Sequence, residues 1–324
     1  MILALSNERD GHFQYVKEKI ERMGEKVVLC DFSQYPADIG IGFEINGNGE
    51  DVHFELGGLK FTGREIRSVW NRRKSQPTAP TGLKNEKVKE YIAHESQFFI
   101  DSLPQILNVL WVSKPDAISV ASRKPHQLMV ARKIGFQIPL TIIGNSQPQT
   151  RIFLDSLNDK IAVKTLGVPH ISVQTETEED ALILYNRCKD KSELLPLMEN
   201  VRNCPAIFQQ YIKKEFELRI TVVGNKVFPC AIYSQQSERT REDWRRYDIP
   251  NTPHKIHNLP ADIETKCITL VRELGLMFGC MDMIVTPDGE YVFLEINPNG
   301  QWLWIERLTD MPIGECLAEM LVAG

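Results

Sequence analysis

The sequence predicts an α/β fold in two or three domains, and three observations predict it. Short apolar runs alternate with amphipathic helical segments along the whole chain. Its 324 residues exceed one domain of roughly 100–200 residues. Apolar residues make up 42% and charged residues 25%, enough core to fold without staples.

The elements follow in order. ILALS reads as a strand. HFQYVKEKIERMG carries Phe13, Val16 and Ile20 at helical spacing and closes at Gly24. KVVLCDF is again a strand. GIGFEI and DVHFEL alternate around NGNGE and predict a hairpin. IRSVW is a strand that runs into the polar cluster NRRKSQPTAP, and a helical pattern fills roughly 84–110, interrupted or kinked near Pro104. These segments make an α/β unit of about 115 residues with no Gly-rich phosphate loop.

Beyond it, SRKPHQLMVARKIGF predicts a helix N-capped by Ser122. PLTIIGN and KIAVKTL are strands flanking a polar helix near 146–158. ISVQT and ALILYNR are further strand candidates, the second readable also as a helix, and SELLPLMENV is a short helix despite Pro196. AIFQQYI, ELRITVVGN and KVFPCAIYSQQS are three β runs, ADIETKCITLVRELGL is an amphipathic helix, and MDMIVTPDGEYVFLEINPNG is two strands around a Pro-Asp-Gly turn. A closing helix begins near Pro312.

Several classes are excluded early. Lys and Arg number 38 against 43 Asp and Glu, a net charge of −5, whereas a dedicated nucleic-acid binder is usually basic. No apolar run approaches the roughly 18 residues of a membrane helix, and no secretory h-region fits MILALSNERD. The seven cysteines form no CxxC pair, which argues for buried reduced thiols over disulfides or zinc. A cytoplasmic protein that binds neither nucleic acid nor membrane is expected.

The chemistry concentrates in the last third. Asp282 and Glu295 interrupt the apolar strands MDMIV and YVFLEIN. A carboxylate inside an apolar strand is costly unless it is paired or holds a cation. A hairpin sets these two side by side, and with the amide of Asn297 they form an oxygen set suited to Mg2+ and a nucleotide's phosphates. Lys164 ends the apolar run IAVK, and Lys124 sits in a first helical turn, where a cation opposes the macrodipole unless an anion is near. FQQYIKKEFELRI reads either as an ordinary edge strand or as backbone for an adenine edge followed by a carboxylate for ribose. The pair Arg72–Arg73 reads either as a solvated strand end or as a fork for a substrate carboxylate. Trp302 and Trp304, just after the acidic hairpin, belong to the core or to a peptide groove.

A lysine helix, a strand lysine, a hinge strand, an E-L-R strand and Asp…Glu-x-Asn in this order resemble the ATP-grasp fold. The segments VWNRR, QLMVARKIGFQIPLTIIGN, CPAIFQQYI, DWR and EINPNGQW resemble, more narrowly, the microviridin-type (graspetide) ATP-grasp ligases, which close side-chain macrocycles in ribosomal precursor peptides. The resemblance runs from the first strand to the last helix. It implies an N-terminal pre-ATP-grasp α/β domain (1–115), a central subdomain with a leader-docking strand–helix unit (116–205) and a C-terminal subdomain with the Mg-ATP site (206–324). Asn71 stands where the family usually has an aromatic residue, and LGVPH is not a Gly-rich lid.

The resemblance also implies roles. Lys124 and Lys164 face the nucleotide phosphates, Gln209, Gln210, Tyr211 and Ile212 form the adenine hinge, and Glu217 takes the ribose. Asp282, Glu295 and Asn297 hold Mg2+. Arg219 stabilises phosphate charge, Arg245 stands at the substrate side, and Arg72 with Arg73 hold the acidic core side chain. The leader peptide docks near 181–203, on the edge of LILYNR and on SELLPLMEN, where Glu193 keeps an acidic position and Leu194 and Leu197 offer apolar anchors. The implied activity is ATP-dependent activation of Asp or Glu side chains as acyl phosphates and ring closure onto Thr or Ser hydroxyls. An ω-amide product, a RimK-like amino-acid ligase and a non-catalytic nucleotide-binding module are the alternatives, and a homodimer is admitted.

Overall fold

The computed structural model describes residues 1–47, 49–157, 160–167, 170–174, 179–183 and 187–324, with backbone alone for 170–174 and 179–183. The N-terminal unit contains β1 (Ile2–Leu5), α1 (Gly11–Arg22), β2 (Val27–Cys30), β3 (Ile39–Asn46), β4 (Gly49–Leu56), β5 (Leu59–Thr62), β6 (Ser68–Asn71), α2 (Glu86–Ile106) and β7 (Leu110–Val112). A parallel sheet runs β2-β1-β6-β7, and β3-β4-β5 form a separate antiparallel sheet. Side chains alternate across β1. Ile2 and Ala4 pack with Phe13, Val16 and Ile20 of α1, while Leu3 and Leu5 pack with Ile100 and Leu103 of α2 and with the small sheet. The sequence reading missed β5, and α2 continues past Pro104 for two residues.

Next come α3 (Pro115–Ala121), α4 (Lys124–Ile134), β8 (Thr141–Gly144), α5 (Gln147–Asp155), β9 (Lys160–Lys164), β10 (His170–Gln174), β11 (Glu179–Ile183), β12 (Arg187–Asp190), α6 (Lys191–Leu194) and β13 (Ala206–Gln210). An antiparallel sheet runs β12-β9-β13-β8, and β10 pairs with β11. In β9, Ile161 and Val163 pack against Leu154 of α5 and against Met198 and Val201 of the 3-10 segment Leu195–Asn203. Ala162 and Lys164 therefore point to the other face. Ser122 does not cap α4, because it ends the unforeseen helix α3 and donates to the Ile118 carbonyl. Helix α4 instead starts at Lys124-Pro125, proline being suited to a first turn. Part of LGVPH (168–169), the last residue of ISVQT and residues 184–186 of ALILYNR lie outside the described residues.

The chain ends with β14 (Phe216–Val223), β15 (Lys226–Ile232), β16 (His254–Ile256), α7 (Ala261–Glu273), β17 (Phe278–Val285), β18 (Tyr291–Asn297), α8 (Leu303–Thr309) and α9 (Ile313–Ala323). Its antiparallel sheet runs β16-β15-β14-β17-β18. One face packs on α4 and α7 through Leu218, Ile220, Val222, Met281, Met283, Phe293 and Ile296. The opposite face packs on α9 and α1, and Trp302 is buried in that shared core. Helix α8 also escaped the sequence reading.

Candidate active site

Strand register builds the centre of the site. Across the sheet, Arg219 on β14 pairs with Asp282 on β17, which pairs with Glu295 on β18. The register of β17 and β18 shifts between Asp282 and Met283, so that Met283 opposes Phe293 and Asp282 opposes Glu295. Leu294 is the extra, bulged residue. Were Leu294 paired with Asp282 in a regular ladder, Glu295 would oppose Met281 and point into the core, because a one-residue slip moves side chains to the other face. The bulge thus sets Glu295 and Asn297 on the face of Asp282 and Arg219.

Charges on this face are paired. Arg219 Nη1 donates to both oxygens of Asp282 at 2.9 and 3.0 Å, and Nη2 donates to the Gln301 carbonyl at 3.1 Å. Lys124, at the start of α4, donates to Glu295; this is the anion that its unfavourable place in a first turn called for. Burial works against the Glu295 charge, but Lys124, Lys164 and Arg245 overcome it and hold the carboxyl at about 2. Burial and the neighbouring Glu295 charge push Asp282 above its usual value, with Arg219 opposing them. Burial pushes the Lys164 ammonium down, and Glu295 opposes that.

Two clefts meet here. The first, about 670 Å³, is lined by Ala162, Lys164, the hinge Gln209–Ile212, Lys214, Glu217, Asp282 and Glu295. Gln209 and Glu217 are buried in its wall. Lys214 Nζ donates to Glu217 at 2.8 Å; burial still pushes that carboxyl above its usual value. The second cleft, about 1010 Å³, is lined by Arg73, Arg219, Asn297, Tyr247, Trp304 and the loop Pro298–Gln301. Trp244, Arg245, Asp282 and Glu295 border both. Arg245 donates to Asp243 through Nε at 2.9 Å and Nη2 at 2.5 Å, and Trp244 stacks on Trp304 with ring centroids 5.1 Å apart. Of the two tryptophans in the motif, Trp302 is core and Trp304 faces the groove.

The arginine pair is divided. Arg72 is 1% exposed. Its Nε lies 3.4 Å from Asp10 Oδ2, and its Nη1 donates to the Asn299 carbonyl at 2.9 Å. The expected grip of Arg72 on a substrate carboxylate is corrected: the guanidinium is turned into the protein, where Asp10 compensates it. Arg73 is half exposed, 3.5 Å from the same Asp10 oxygen, and lines the second cleft. Leu194 is corrected too. It is buried with Leu154, Ile161 and Met198, so it cannot anchor a peptide without unpacking that core. Leu197 is exposed, and Glu193 pairs with Lys189 on the surface. Sequence reasoning missed Asp10, His12, Lys214, Asp243 and Trp244. Lys214, three residues before Glu217 in KKEFE, and Asp243 in DWR carried a local signal; the distant Asp10 and His12 did not.

The donor chemistry suits a hard cation with phosphates: two carboxylates and an amide oxygen on adjacent strands, flanked by lysines. Among the described residues no three His, Cys, Asp or Glu cluster as a self-sufficient metal cage, and Mg2+ commonly completes its shell with phosphates and water.

Residues 1–119 match the family model of the MvdD pre-ATP grasp domain, and residues 121–321 match that of the RimK-like ATP-grasp domain. The chain belongs to the RimK-like ATP-grasp family, among the graspetide ligases that carry this N-terminal domain, and is an enzyme. It is similar in structure to a RiPP-associated ATP-grasp ligase of Chryseobacterium gregarium solved with ADP and a leader and core peptide, at 27% identity and a TM-score of 0.88 over 99% of this chain and 96% of that one. It is also similar to the macrocyclase MdnC of Microcystis aeruginosa MRC bound with the precursor peptide MdnA, at 30% identity and a TM-score of 0.84 over 100% and 99%. The macrocyclase MdnB of the same organism aligns at 28% identity and a TM-score of 0.79 over 100% and 99%. No curated protein matches the chain. Among the described residues no helix is long and apolar enough to cross a membrane.

Proposed function

We propose that this enzyme uses ATP with Mg2+ to activate an Asp or Glu side chain of a ribosomal precursor peptide as an acyl phosphate, and then closes a ring onto a Thr or Ser hydroxyl. The observation that carries this reading is the meeting of the two clefts over Asp282, Glu295, Trp244 and Arg245. A nucleotide in the first cleft presents its terminal phosphate to a carboxylate in the second. The adenine lies along Gln209–Ile212, the ribose at Glu217, and the phosphates at Lys164 and Lys124. Asp282, Glu295 and Asn297 hold the Mg2+, which supplies charge neutralisation at the phosphates.

The protein positions and compensates charge. Arg73 orients the substrate carboxylate, whose oxygen attacks the terminal phosphorus as ADP leaves. Arg219 and Arg245 stabilise charge on the transferring group. The peptide hydroxyl then attacks the acyl carbon and phosphate leaves, so each ring removes one water. The domain assignment is 1–115 pre-ATP-grasp, 116–205 central with leader docking around Leu197 and Glu193, and 206–324 for Mg-ATP. The test is mass spectrometry of a candidate precursor incubated with enzyme and MgATP. Loss of one water per ring, a hydroxamate on trapping with hydroxylamine, and reopening in mild alkali are expected. A product that resists alkali makes the linkage an amide, and an unchanged precursor mass rejects ring closure.

A further inference from the structure

The loop between Asn297 and α8 forms one wall of the second cleft, and the N-terminal unit holds it at several points. Arg72 donates to the Asn299 carbonyl at 2.9 Å and to that of Gly300 at 3.4 Å, and Arg219 takes the Gln301 carbonyl. Gly300 has no room for a side chain: a Cβ would meet Cys280 Cβ at 2.4 Å and Arg219 Nη2 at 2.8 Å. The next two backbone amides, of Trp302 and Leu303, both donate to Nε2 of His12 at 3.2 Å. They are the opening amides of α8, which no side chain of its own caps. The His12 ring also stands edge-on to Trp302, with centroids 5.1 Å apart.

An imidazole nitrogen that accepts two N–H bonds carries no proton. The proton of neutral His12 therefore sits on Nδ1, which lies 3.5 Å from Asp10 Oδ1. Asp10 itself caps α1, accepting from the His12 amide at 2.8 Å and the Phe13 amide at 3.3 Å. The charged groups facing His12 are Asp10 from its own turn and Arg72 and Arg73 from beyond the end of β6. On the α8 side, the Glu306 carboxylate is committed to Tyr15 and the Gly314 amide. Burial and the two arginines hold His12 below its usual value, and Asp10 opposes them.

We propose that His12 is a positioning residue for the ligase: as a neutral imidazole it caps α8 and, with Arg72, fixes the Pro298–Gln301 wall of the substrate cleft, so that protonating it loosens this wall without unfolding the protein. Arg72 thus acts on the substrate through the loop. The proposal rests on the ligase reading for its kinetic consequence, but not for the clamp itself.

The experiment compares wild type, His12→Gln and His12→Leu. Glutamine places an oxygen acceptor near the Nε2 position and does not titrate; leucine accepts nothing. Amide hydrogen exchange over 298–309, corrected for intrinsic pH dependence, reads the clamp directly. Residues 302 and 303 exchange at least tenfold faster in His12→Leu than in wild type, and His12→Gln restores their protection. As pH falls below the ordinary histidine range, wild type loses protection there and His12→Gln does not. In ring closure, His12→Leu loses tenfold or more in kcat with the KM for ATP within twofold, and His12→Gln lacks the acid loss of rate that wild type shows. Equal exchange in all three proteins, or acid behaviour shared by wild type and His12→Gln, overturns the proposal. If wild type closes no ring, the ligase reading fails, while exchange still decides the clamp.

Discussion

Replacing Asp282 with alanine strands a guanidinium. Arg219 is 5% exposed and Asp282 9%, so water cannot take over the lost contact. Removing one partner of a buried pair costs about 3–5 kcal/mol. Arg219 keeps the Gln301 carbonyl at 3.1 Å and stands 5.9 Å from the Trp244 ring centre, which places the expected loss near 3 kcal/mol, the lower end of that range. At a urea m value of about 3 kcal/mol/M, the midpoint falls by about 1 M. Tryptophan fluorescence is a suitable signal because Trp244, Trp302 and Trp304 surround this part of the fold. Activity is no guide, since the variant lacks a proposed metal ligand. The decisive comparison is Asp282→Ala/Arg219→Met, in which no buried charge is left alone; its midpoint recovers at least half the loss. If the single and double variants melt at the same urea concentration, the contact is not the compensating partner of Arg219 and the charge argument fails.

Other expectations follow from the same geometry. Glu295 is held at about 2 against an ordinary 4.5, so its contribution to stability is complete above 4.5 and is lost as pH falls toward 2; Lys124→Met, followed by circular dichroism during acid titration, moves that loss to higher pH. Leu194→Asp costs about 3 kcal/mol or more by burying a carboxylate without a partner, whereas Leu197→Asp leaves the urea midpoint within about 0.5 kcal/mol of wild type and weakens leader peptide binding in an anisotropy titration. Arg73→Lys keeps the charge but loses the fork; ring closure slows at least tenfold while the affinity for ATP is unchanged, as read by precursor mass spectrometry beside calorimetry.

How much the sequence disclosed depends on the range of each signal. The Pro-Asp-Gly hairpin places Asp282 beside Glu295, and the structure pairs them. The bulge that makes this possible was invisible: YVFLEIN is apolar enough to read as a strand in either parity, so nothing marked Leu294 as the extra residue. Alternation in β9 was legible, since Ile161 and Val163 flank a small residue before Lys164. Ser122 misled because a serine before an apolar period suits a cap, yet Lys124-Pro125 begins the helix. Arg72 and Leu194 show a different limit. Each looked exposed because neither Asp10 nor the pocket formed by Leu154, Ile161 and Met198 is near in sequence. The split of Trp302 from Trp304 likewise depends on α1, which lies at the other end of the chain.

The bulge at Leu294 also sorts the tolerance of this hairpin to insertion and deletion. The turn joining β17 and β18 lies beyond the ladder residues Val285 and Tyr291, so its length can drift between relatives while every catalytic candidate keeps its place. Between Phe293 and Glu295 the direction of the change decides its effect. Loss of Leu294 erases the bulge and leaves a regular ladder with Glu295 still opposite Asp282, whereas one residue gained between a retained bulge and Glu295 sends a carboxylate and an amide into the core and brings Ile296 out. Two compensating changes, one on each strand, would restore the parity. A comparison of related sequences should therefore show insertions confined to the turn or paired across the strands, and any single deletion near Glu295 falling on the bulged residue.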